Sequence, residues 1–135
     1  MSSKVLFIGF QLIAGGGDAV TGIALMAAPS FTLKMMGVRQ EIHDLILVSF
    51  IGAFVLAVGL SYLAFASPPR NSAQLSEVRA AWLITALVRL CVGVFVAAAC
   101  ASQRLDPAWL TITAFDLSLA TFQLIARRRL VLAFA

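Results

Sequence analysis

The chain has 135 residues, 61% of them hydrophobic and only 12% charged, with a mean hydropathy of +1.00. Soluble domains carry about 25% charged residues, so this composition excludes an ordinary water-soluble domain and indicates a single transmembrane domain over residues 1–135. The net charge of +4 is scattered over the ends of apolar runs, which fits membrane topology and points away from a nucleic-acid partner.

Four stretches are long enough to cross ~30 Å of hydrocarbon, which takes about 20 helical residues. The first runs from about Val5 to Met26. It exceeds the usual apolar region of a signal peptide, contains Asp18, and ends in Ala27-Ala28-Pro29, a poor cleavage site, so it reads as a retained helix. Gln11, Gly15, Asp18 and Gly22 recur along it at spacings of four and three, which places them on one face. Gly15-Gly16-Gly17 is unusual in a helix, since each Gly costs about 1 kcal/mol relative to Ala. Two readings stand side by side: close helix packing through pairs such as Gly15/Ala19, or a local functional opening of the helix.

The connection Pro29 to Gly37 starts with a helix-starting Pro and ends with a helix-stopping Gly. It reads either as an interfacial helix, with Phe31, Leu33, Met35 and Met36 in the headgroup boundary and Lys34 wet, or as an ordered turn plugging one end of the bundle. His43-Asp44 opens the second span, where a carboxylate favours the helix N-terminus and a single His indicates interfacial solvation rather than a metal. That span runs from about Leu45 to Ala66 and offers Ser49, Gly52 and Gly59, with a second small-residue stripe at Ala53, Ala57 and Ser61. A polar, mobile loop is expected over Pro68 to Glu77.

The third span covers about Ala80 to Ala101, with Thr85, Arg89, Gly93 and Val96 on one face and Trp82 and Gln103 extending it. A further small-residue stripe, Gly93, Ala97 and Ala101, would let another helix approach closely. Cys91 and Cys100 lie nine residues apart, about 13 Å along a helix, too far for a disulfide. The short Ser102 to Pro107 link makes the third and fourth helices antiparallel neighbours. The fourth span covers about Ala108 to Ala126, with Thr113, Asp116, Ala120 and Gln123 on one face, and Arg127-Arg128-Arg129 closing it.

Asp18, Arg89 and Asp116 each interrupt an apolar run near its middle. A charge at the centre of a membrane helix costs roughly 2.5–3.5 kcal/mol even on lenient scales, so such residues pair, face an interior, or carry a function. Arg89 with Asp116 is the natural ion pair, because a short loop joins their helices. Counting charges leaves one acid in excess, and an unpaired buried carboxylate favours its protonated form, which makes Asp18 the candidate proton- or ligand-binding group. Gln11, Thr85, Thr113 and Gln123 form the supporting polar face.

With the N-terminus inside, the inner side holds Lys4, Arg70, Arg79 and Arg127 to Arg129, and the outer side Lys34, Arg39 and Arg104. Lys and Arg concentrate on the cytoplasmic side, so both termini are expected there. The expected fold is an all-α, up-down-up-down four-helix transmembrane bundle in a cell inner membrane. There is no metal-ligand spacing, nucleophile elbow, phosphate-binding loop or dinucleotide fingerprint. No cofactor or metal is expected, and enzyme activity is left open, leaning against.

The stretch GIALMAAPSFTLKMMG, the segment FIGAFVLAVGL, the segment VRLCVGVF around Arg89, and Asp116 together resemble the DoxX-like group of small four-helix bacterial membrane proteins. That resemblance implies a link to quinone-dependent oxidation. The first functional expectation is a bacterial inner-membrane protein that binds or moves a small solute or proton at a midplane site of Asp18, Arg89 and Asp116. A bundle of this size encloses little space, so a homo-oligomer, a dimer first, is expected. The alternatives are a quinone- or lipid-binding redox subunit, with Trp82, Phe95 or Trp109 stacking on a ring, and a structural or assembly subunit.

Overall fold

In a computed structural model, secondary structure is described for residues 3–134 and side chains for residues 4–128. All regular structure among these residues is helical. Helix α1 covers Ser3–Ala27, α2 Pro29–Met35, α3 Leu45–Ala64, α4 Ser72–Ala101 and α5 Leu110–Phe134, with a 3-10 turn at Pro107–Trp109 before α5. Four segments are long and apolar enough to span a membrane: Lys4–Ala27, Leu45–Ala64, Ser72–Ala101 and Pro107–Arg128. Their outward residues include Ile13, Val20, Ile46, Phe54, Ile84 and Phe95. Gln11, Asp18, Thr85, Arg89, Thr113, Asp116 and Gln123 are buried. Polar groups inside and large apolar groups outside are what lipid as solvent demands. The chain is a multi-pass membrane protein.

Local chemistry sets the helix ends. Pro29 stops α1 and, at the first position of α2, starts the next helix. Asp44 caps α3 by accepting from the Leu47 amide at 3.3 Å, and Asn71 caps α4 by accepting from the Gln74 amide at 2.8 Å. The second cap corrects the expected Pro68 to Glu77 loop: α4 begins at Ser72, because Asn71 satisfies an end amide and Ser72 to Glu77 tolerate a first turn in water. Likewise Arg127 to Arg129 do not end α5, which continues to Phe134. Arginine is a good helix former, so the triplet ends the apolar span without ending the helix. The Arg129 side chain lies outside the described residues.

The chain divides into two compact units, Met1–Pro68 and Pro69–Ala135. In the first, α1 and α3 meet backbone to backbone. A Cβ on Gly22 would sit 2.5 Å from the Leu56 nitrogen and 2.7 Å from the Gly52 carbonyl oxygen. One on Gly59 would sit 2.5 Å from the Ala19 nitrogen and 2.7 Å from the Gly15 oxygen. Two glycines seven residues apart on each helix thus make one close seam. Gly16 and Gly17 face nothing within 4 Å, and α1 runs unbroken through all three glycines. The packing reading therefore accounts for Gly15, and the helix does not open at this point. The stripe Ala53, Ala57, Ser61 faces away from this seam: Ala53 and Ala57 are exposed.

Helix α2 has two unlike faces. Thr32 and Leu33 are buried in the first unit, while Phe31 and Met35, one turn apart, are exposed with Lys34. Gly37 ends the segment at φ +80, a conformation that glycine adopts without cost.

Candidate functional site: a polar seam between α4 and α5

In the second unit the facing surfaces of α4 and α5 carry a ladder of polar contacts. At one end the Thr113 hydroxyl donates to the Gly93 carbonyl at 3.4 Å. Next, the Arg89 guanidinium donates to the Asp116 carboxylate and forms an ion pair with it. Then Gln123 Nε2 donates to Thr85 Oγ1 at 2.8 Å. At the other end Arg127 Nε donates to the Arg79 carbonyl at 3.0 Å. From Gly93 back to Arg79 and from Thr113 on to Arg127 is fourteen positions in each helix, so the rungs keep one antiparallel register.

Each rung has a sequence cause. Thr85, Arg89, Gly93 and Val96 share the buried face of α4, with Trp82 continuing it. Gly93 lets α5 approach: a Cβ there would lie 2.9 Å from Leu117 Cδ2. The Thr85 hydroxyl also donates to the Ala81 carbonyl at 2.9 Å, so it serves as acceptor for Gln123 and as donor within its own helix. The Arg89 guanidinium lies 5.8 Å from the Phe115 ring centroid, a cation–π contact on the flank of the ion pair. Phe115 is half exposed, so an aromatic face separates this charge from lipid.

The other sequence-derived residues fall as follows. Asp18 lies on α1 in the first unit and is buried. It takes part in a hydrogen-bonding or electrostatic interaction, so it is not the lone carboxylate that counting charges suggests. Gln11, in the same unit, donates through Nε2 to the Tyr62 and Phe65 carbonyls at 3.2 and 2.9 Å. Those carbonyls lie at the end of α3 and on its C-cap residue Phe65; the Tyr62 oxygen already accepts from the Phe65 amide, and Gln11 adds a side-chain donor that helps to close that end. Gln103 does not extend the α4 stripe: it sits in the turn after the helix with φ 57. The aromatic trio is not gathered into one platform. Trp82 is buried with its ring 6.5 Å from that of Phe122, while Phe95 is 68% exposed. Thirteen helical residues, about 20 Å, separate Trp82 from Phe95 on α4.

The rung that sequence reasoning missed is Arg127 with Arg79. Half of its signal was present: Arg127 follows Asp116 by eleven residues, close to three helical turns, and so lies on the seam face, whereas Arg79 takes part through its backbone carbonyl, which side-chain periodicity does not locate. Comparison with protein-family models, with curated proteins and with solved structures returns no match.

Proposed function

We propose that this protein binds or moves a proton or a small polar solute across a bacterial inner membrane, using the Arg89–Asp116 pair as the binding element. The single observation that carries the reading is this ion pair, buried inside a membrane-spanning hairpin with further polar rungs beside it. The pair can be opened in two ways. A proton arriving on Asp116 removes the charge that holds Arg89, and an anionic solute competes with Asp116 for the same guanidinium donors. Thr85, Gln123 and Thr113 then supply neutral hydrogen-bonding groups next to the freed charge. Asp18 is a second buried acid, held by the other unit, and supports the same chemistry. The resemblance to DoxX-like proteins and a homo-oligomeric assembly belong to this proposal.

A second reading, a structural or assembly subunit, is favoured by one observation: the ladder is internally satisfied at each of its rungs. Liposomes loaded with a pH-sensitive dye distinguish the two. Purified protein is expected to speed proton equilibration over empty liposomes, and Asp116→Asn protein that inserts normally is expected to lose that effect. Wild type that behaves as empty liposomes, with and without small anions in the medium, would remove the transport reading.

A further inference from the structure

We infer that the end of the α4–α5 hairpin bearing Arg79, Arg127 and Arg128 binds the phosphate of an anionic membrane phospholipid. This does not depend on the role given to Arg89 and Asp116. Arg79 Nε is buried and has no hydrogen-bond partner among the described residues. Buried polar nitrogens are normally paired, so this unpaired Nε marks an unbalanced guanidinium whose terminal nitrogens, with no partner among the described residues, are the donors an outside acceptor can reach. Beside it, Arg127 is half-buried and fixed by its own Nε on the Arg79 carbonyl at 3.0 Å, while Arg128 is exposed at the next position. Among the described residues none of the three enters an ion pair. Three cations lie at one helix-pair end, and the acid nearest in sequence, Glu77, enters no ion pair with them among the described residues.

Depth names the missing anion. Arg79 lies ten residues from Arg89, about 15 Å along α4, and Arg127 eleven residues from Asp116, about 16 Å along α5. Half of a ~30 Å hydrocarbon core is the same length, so a central ion pair puts these arginines at the hydrocarbon boundary, from which long arginine side chains reach out to the phosphates. Guanidinium groups take phosphate oxygens with paired N–H donors, and basic pockets between membrane helices bind lipid headgroups this way. A lipid suits the site better than a free anion because exposed Ile125 lies one turn from Arg128, giving apolar surface for the acyl chains below the phosphate.

Native mass spectrometry of the full chain released from detergent tests this, titrating phosphatidylglycerol, phosphatidylcholine and inorganic phosphate. Phosphatidylglycerol is expected to be retained well above phosphatidylcholine. Arg79→Gln and Arg128→Gln should each weaken it about ten-fold, as loss of one charge-assisted contact implies, and Arg104→Gln, in the opposite turn, should leave it unchanged. Should Arg79→Gln fail to fold, the exposed Arg128→Gln carries the comparison. Equal retention of the two lipids, unchanged binding in Arg128→Gln, or inorganic phosphate binding as tightly as phosphatidylglycerol would each overturn the proposal.

Discussion

Removing one partner of the Arg89–Asp116 pair leaves the other charge buried without compensation. Such single deletions cost about 3–5 kcal/mol, so Arg89→Gln and Asp116→Asn should each lower the unfolding midpoint markedly in detergent. An unchanged midpoint in both would show that the pair contributes nothing to the fold. Glycine positions give a sharper contrast because their surroundings differ so much. Gly22→Ala and Gly59→Ala push a methyl group into backbone atoms at 2.5 Å and should destabilise by several kcal/mol or split the α1–α3 pair. Gly16→Ala meets nothing and should stabilise by up to about 1 kcal/mol through helix propensity. Thermal unfolding of the three variants checks the order, and equal effects would contradict the seam. Which of three adjacent glycines packs was not legible in the sequence, because the choice depends on the rotation of α1 against Gly59 and Tyr62.

At the scale of elements, the polar stripes were readable from helical periodicity. Thr85, Arg89 and Gly93 on α4, and Thr113, Asp116 and Gln123 on α5, all turn to the same seam. Helix ends were less readable. The chain from Ser72 to Glu77 looks like a linker by composition, yet the Asn71 cap makes it the first turns of α4. Asn71→Ala removes that acceptor and should cost about 1 kcal/mol while fraying the start of α4. Limited proteolysis between Pro69 and Glu77 reads this out: faster cleavage of the variant is the expected result, and unchanged cleavage would mean that the cap is idle. The end of α5 was missed for the converse reason. Charge marks where a helix leaves lipid, and the backbone has no cause to stop there.

For the whole molecule, the run of hydropathy along the sequence pointed to a multi-pass membrane protein, and the four apolar helical segments of 24, 20, 30 and 22 residues match the length a bilayer requires. The division into two compact units was not legible, because the apolar periodicity that locates each helix does not say which helix it meets. Topology is predicted by charge. With an even number of spans, the excess of Lys and Arg at one set of ends predicts that both termini are cytoplasmic. Reporter fusions at residue 1 and residue 135 should both read cytoplasmic, and a periplasmic signal from either would reverse the orientation.

The central claim is that Arg89 and Asp116 are kept for what they bind rather than for stability. A buried ion pair replaced by apolar groups of similar volume is often neutral or stabilising, whereas either single removal is costly. The most direct measurement is thermal unfolding of the double variant Arg89→Met with Asp116→Leu, beside both single variants. The account predicts a double variant at least as stable as wild type and inactive in the liposome assay. A double variant as unstable as the singles would show that the charges lock the α4–α5 seam, and would contradict the functional reading.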